Sequence, residues 1–287
     1  MHSLIVSTTK RVIGVPVVAT NQWLDHYLTK KLGFPDLDMG IQRDTLCPHL
    51  TNYYTSITTE EIHQHLLQNG LFPPSISDEK TINKMYERNI WRNVESEFNK
   101  LKVDWNGPDV PLFIFPSNLE NEQLRIDFNG LAGLAHQNKL FLFVSSQPTD
   151  KEIQALLTHE YNHVCRLNYL NQEEKTITLL DAMILEGLAE MAVHERMGKE
   201  YLAKWTSMYS LEHALKYWKG EVESNLHLQK GSIRHQQFMY GNDSIPKWMG
   251  YNIGFHLVCS FVENTTCTVN QLLRMPTEQI LEESAFK

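Results

Sequence analysis

The chain has 287 residues, 42% of them hydrophobic and 21% charged, an ordinary balance for a globular protein with one large core or two smaller ones. Lys and Arg number 26 against 34 Asp and Glu, for a formal net charge of −8, and no basic run occurs, which argues against nucleic acid as a partner. Nowhere do about eighteen apolar residues follow one another, so no membrane span is expected.

In chain order, the first segment carries one short apolar run, broken at Pro16, and lacks the small-residue cleavage site of a secretory signal. Four cysteines (Cys47, Cys165, Cys259 and Cys267) lie far apart and form no CxxC pair. They read as free thiols, and a cytoplasmic location is the simplest expectation. Residues 1–105 read as a helical N-terminal region. NQWLDHYLTKKLG and TTEEIHQHLLQNG each close on a glycine, Gly33 and Gly70, as helices often do. His63 and His65 in the second stretch are two apart, on different helix faces, and read as surface residues. LFPPSISDEK is a break, and TINKMYERNIWRNVESEFNKL reads as one longer helix after it.

The texture then changes. VPLFIFP (110–116) and KLFLFVS (139–145) are aromatic and β-branched runs flanked by turn residues, as in buried strands. Between them GLAGLAHQ (130–137) reads as an edge strand whose glycines, Gly130 and Gly133, leave the backbone open. After residue 150 only helices are expected, so the fold class is α+β and residues 106–287 form the second unit.

QPTDKEIQALLTHEYNHV opens a helix: Thr149 and Glu152 have capping-box spacing, and Ile153, Leu157, Val164 and Leu167 form one apolar stripe. His159 and His163 are four apart, separated by roughly 40° in azimuth and about 6 Å along the axis, so both imidazoles reach one point at the flank of that stripe. Neutral imidazoles suit zinc, and Glu160, next to the first of them, is placed to take a proton from a zinc-activated water. Arg166, three positions further, reads as a solvated surface residue, with a bridge to a carboxylate as the alternative.

A catalytic zinc requires a third protein ligand. The next helix, TLLDAMILEGLAEMAVHERMG (178–198), is apolar almost all round and therefore buried, yet carries Glu186 and Glu190 on one face. A lone buried carboxylate costs several kcal/mol, so it pairs, protonates or binds a metal. Glu186 is the expected third ligand. Glu190, one turn on, is placed to accept the free N–H of a ligand histidine. Gly187 within this helix suggests close approach of another element. His194, on the broad face of Glu190, is either a further partner of the site or a surface helix end.

THEYNHVCRLN, ILEGLAEMAV and the later IPKWMGYNIGFHLV together resemble the YjaZ-like family of predicted zinc-dependent proteases, gluzincins with HExxH on one helix and a glutamate ligand on the next. The resemblance spans roughly residues 105–265. It implies a zincin-like metallopeptidase fold: a small mixed sheet whose edge strand lies over the active-site helix, then a helical C-terminal half. It matches His159, His163 and Glu186 to the ligands of one Zn2+ per chain, and Glu160 to the general base. The best-known gluzincins carry an aspartate where this chain has Glu190.

The expected activity is hydrolysis of a peptide or protein substrate, inside the chain rather than at its amino terminus, since GLAGLAHQNK offers no acidic anchor. Tyr251 is the first choice for stabilising the oxyanion, with Tyr240 and His235 behind it; a core aromatic role for Tyr251 is equally open. Gly250 and Gly254 let its helix pack closely. The backbone at Gly133, Leu134 and Ala135 is the expected edge for pairing with substrate. The rivals are a non-catalytic protein that keeps the fold and a regulatory peptidase with a single target.

Overall fold

The two aromatic runs form the middle of the molecule. In the computed structural model, which describes residues 17–32 and 38–287, they are β1 (Leu112–Pro116) and β3 (Lys139–Val144), with β2 (Leu131–His136) between them in sequence. The sheet order is β1-β3-β2, β1 parallel and β2 antiparallel to β3. The sheet is therefore mixed and β2 is an edge, as its glycines suggest. Gly33 and the apolar run through Pro16 lie outside the described residues.

Side chains alternate across a strand, and here the alternation separates two cores. Phe113, Phe115, Phe141 and Phe143 face one side, where Leu24, Tyr27, Leu46, Ile62, Leu66 and Ile82 meet them. Those partners come from α1 (Thr20–Lys31), α2 (Met39–Leu46), α3 (Thr59–Gln68), α4 (Asp78–Glu87) and the turns between them. Leu112, Ile114, Leu140, Leu142 and Val144 face the other side. They pack with α5 (Ile90–Trp105) and α7 (Asp150–Tyr169), while α6 (Glu122–Asp127) leads into β2. The chain continues through α8 (Leu179–Met197), α9 (Leu211–Tyr217), α10 (Ile233–Tyr240), α11 (Met249–Thr265), α12 (Val269–Leu272) and α13 (Thr277–Glu282). The fold is α+β, and no described helix is long and apolar enough to cross a membrane. All four cysteines are unpaired.

Three sequence expectations are corrected. The single helix over 81–101 is two, α4 and α5, broken at Asn89, whose φ of 53° is left-handed; asparagine tolerates that conformation, and helical periodicity on both sides hides the break. His63 is not at the surface: it is 2% exposed, and its Nε2 lies 2.8 Å from Oε1 of the buried Gln42, because α3 packs on α2. Arg166 is 1% exposed and, among the described residues, bridges to no carboxylate. Its Nη1 donates to the Leu272 carbonyl at 2.8 Å and its Nη2 to Thr277 Oγ1 at 3.2 Å, as the C-terminal segment folds back over α7.

Candidate metal centre

A capping box fixes the start of α7. Thr149 Oγ1 accepts the Glu152 backbone N–H at 3.3 Å, and Glu152 Oε2 accepts that of Thr149 at 2.7 Å. Ile153, Leu157, Val164 and Leu167 are buried, which sets the rotation of the helix and leaves His159 and His163 at the margin of the apolar face. Their side chains retain 15% and 13% of their exposure.

A second capping box, Thr178 with Asp181, opens α8. Its position depends on contact with α11. A methyl on Gly187 would overlap the Gly254 carbonyl, and one on Gly254 would overlap the Met183 carbonyl. The two helices therefore touch backbone to backbone, the role expected of Gly187. Gly250 meets Met239 of α10 in the same way.

These constraints bring three atoms together. His159 Nε2 and His163 Nε2 are 3.1 Å apart, and Glu186 Oε2 lies 3.2 Å from the first and 3.7 Å from the second. Among the described residues, His159, His163 and Glu186 form the one group of potential metal ligands gathered in this way. Two ring-nitrogen lone pairs facing each other at such a distance repel unless a proton or a metal cation lies between them. Tetrahedral zinc with bonds of about 2.0–2.1 Å holds its ligand atoms about 3.3 Å apart. The observed separations bracket that value, so the residues fit a zinc ion.

The surroundings orient this donor set. Glu190, 4% exposed, accepts a hydrogen bond from His159 Nδ1 at 2.8 Å through Oε1 and from the Ala203 backbone N–H at 2.7 Å through Oε2. With the proton held on Nδ1, the lone pair of Nε2 points to the cluster. The longer side chain in place of an aspartate thus reaches the histidine without difficulty. His163 Nδ1 is buried with no partner among the described residues.

Glu160 lies about 100° further round the helix than His159, under the sheet. Burial raises its carboxyl to about 7; His159 opposes that shift and Glu186 adds to it. A methyl on Gly133 would collide with the Glu160 side chain, so β2 crosses α7 directly over this carboxyl. Leu134 turns to the aromatic core and Ala135 to the α7 side. Among the described residues, no backbone hydrogen bond occupies the outer edge of Ala132–Ala135.

Tyr251 lies in the first turn of α11 with its ring 5.2 Å from Trp205, 4.8 Å from Trp248 and 5.5 Å from Tyr240. Burial holds its phenol protonated far above the usual range, and the Glu186 and Glu160 carboxylates add to the effect. Tyr240 is 51% exposed on the rim. His235 is buried beside Thr178, about 12 Å along α8 from Glu186, which removes it from the cluster. His194 is exposed at the end of α8, the surface alternative. Ala203, Trp205 and Trp248 were not singled out by sequence. Their segments have no periodic pattern, and only the tertiary fold brings them to the site.

The comparisons agree with this geometry. A family model described as predicted Zn-dependent protease (DUF2268) matches residues 90–282, the span from α5 to α13. The chain is 36% identical to YjaZ of Bacillus subtilis strain 168 over 218 residues, covering 76% of this chain and 84% of that protein. It is 24% identical to YjfC of the same organism over 227 residues, 72% of this chain and 74% of that one; both carry the name of uncharacterized proteins. No solved structure matches it at the level required of a relative. The chain belongs to the YjaZ-like family of predicted Zn-dependent proteases.

Proposed function

We propose that the protein is a zinc-dependent peptidase with a zincin-like arrangement, its zinc held by His159, His163 and Glu186. The observation that carries this reading is the convergence of those three ligand atoms at 3.1–3.7 Å, beside a buried glutamate that lies under a glycine of the edge strand. Held by these residues, a zinc ion would supply Lewis acidity toward the peptide carbonyl and toward water near neutral pH.

The chain's own groups do the rest. Glu160 accepts the proton of the attacking water and passes it to the leaving amine. Glu190 holds His159 in the tautomer that presents Nε2. The Tyr251 phenol, kept protonated by burial, donates to the oxyanion as charge develops. The open edge at Gly133, Leu134 and Ala135 receives an extended peptide as an added strand. β2 carries no carboxylate to hold a free amino terminus, which favours an internal bond. Four unpaired thiols, two of them buried, suit a reducing, cytoplasmic setting.

One observation favours the alternative of a non-catalytic or single-target protein: the ligand side chains are only 13–19% exposed. Glu160→Gln separates the readings. Loss of hydrolysis on a broad peptide library, with zinc content and unfolding temperature retained, supports the peptidase. Zinc-loaded wild type that cuts nothing in the library supports the alternative.

A further inference from the structure

The segment that enters β2 is tied to the helical C-terminal half of the chain. Lys204 Nζ donates to the Ile126 carbonyl at 2.8 Å, Lys247 Nζ pairs with Asp127 Oδ2 at 3.0 Å, and the Phe128 ring stands edge-on to Trp248 at 5.8 Å. These three contacts come from consecutive residues above, 126–128, and from two separate segments below. The lower partners are themselves anchored: the Lys247 carbonyl accepts the Tyr209 hydroxyl at 2.9 Å, and the Trp248 N–H donates to the Tyr240 carbonyl at 3.1 Å. Trp248 is held at φ 60°, a conformation bulky residues rarely adopt, and its ring packs directly on Tyr251. The strap thus crosses one ring away from the residue placed to meet the oxyanion.

The other end of β2 differs. Among the described residues, no hydrogen bond or ion pair joins positions 129–138 to any residue after Thr178. There His136 pairs with Glu174 and Asn168 donates to the Gln137 carbonyl, contacts that stay with α7 and the turn following it.

We infer that the strap formed by Ile126–Phe128 with Lys204, Lys247 and Trp248 closes one end of the cleft, so that the bond cut lies within a few residues of one terminus of the substrate. The inference rests on the peptidase reading and deepens it. A peptide paired along β2 leaves the cleft freely past His136, but past Leu131 it meets Phe128 and Trp248. An internal bond near a chain end is reached directly; the middle of a long chain is reached only when the strap opens.

The test compares a long unstructured linear peptide, blocked at both ends, with the same peptide closed head to tail. Cleavage is followed by mass spectrometry in zinc-loaded wild type and in the double variant Phe128→Ala/Lys247→Ala, which leaves the ligands, Glu160 and Tyr251 in place. The expected wild-type products always include one short fragment. The cyclic peptide is cut more slowly than the linear one by about tenfold or more, the scale of one exposed ion pair with one aromatic edge contact. The double variant narrows that ratio and adds central cuts. Wild type that opens the cyclic peptide as fast as it cuts the linear one overturns the inference, as does a variant that leaves the ratio unchanged. If neither protein cuts the linear peptide, the peptidase reading fails, and this inference fails with it.

Discussion

Gly187→Ala tests whether the crossing of α8 and α11 sets the centre. In an open helix the change stabilises by about 1 kcal/mol, because alanine is the better helix former. Here the new methyl meets the Gly254 carbonyl and sits 2.9 Å from the Phe255 nitrogen, both of them backbone atoms that no side-chain rotation can move aside. Relief of the contact with the carbonyl oxygen to an ordinary separation of about 3.5 Å requires a displacement of roughly 1.4 Å. Overpacking of this kind costs about 1–3 kcal/mol, and backbone against backbone belongs at the upper end. The net expectation is a loss of about 2 kcal/mol, or an unfolding midpoint lower by roughly 4 °C or more. Glu186 directly precedes Gly187, so the same displacement draws Oε2 away from the two imidazoles, and zinc affinity falls as well. Differential scanning calorimetry and chelator competition measure the two effects. Gly220→Ala, in a helical turn with nothing within 4 Å of the added carbon, is the control: zinc affinity is unchanged and the unfolding midpoint does not fall. A Gly187→Ala protein as stable as wild type, with its zinc affinity intact, refutes the reasoning.

Two further substitutions separate the parts of the site. Gly133→Ala places a methyl where the Glu160 side chain lies; peptide hydrolysis falls by about tenfold or more while zinc content stays at the wild-type level, and unchanged turnover contradicts the placing of the base under β2. Glu190→Ala removes the acceptor of the His159 Nδ1 proton and of the Ala203 N–H. Zinc affinity then drops by about 10–100-fold in chelator competition, and an unchanged affinity removes Glu190 from the orienting role.

Much of this was legible because the signals are local. The capping box at Thr149, the aromatic and β-branched runs of β1 and β3 and the spacing of His159 and His163 each arise within a few residues, and the structure shows all of them. Glu186 was legible for a different reason, as a carboxylate in an otherwise apolar helix. The failures are tertiary. His63 and Arg166 look polar and exposed in isolation, but each is covered by an element distant in sequence, α2 for one and the C-terminal helices for the other. The break at Asn89 leaves the hydrophobic period undisturbed on both sides. Ala203 contributes only a backbone N–H, which carries no side-chain signature at all.

The central claim is that His159, His163 and Glu186 hold zinc. The most direct measurement is bound zinc by elemental analysis in wild type and in Glu186→Ala, both prepared without added metal and both checked for folding. The geometry predicts about one zinc per chain in wild type and most of it lost in the variant. Folded wild type that carries little zinc and takes up none on titration contradicts the claim, and the converging imidazoles then need another explanation.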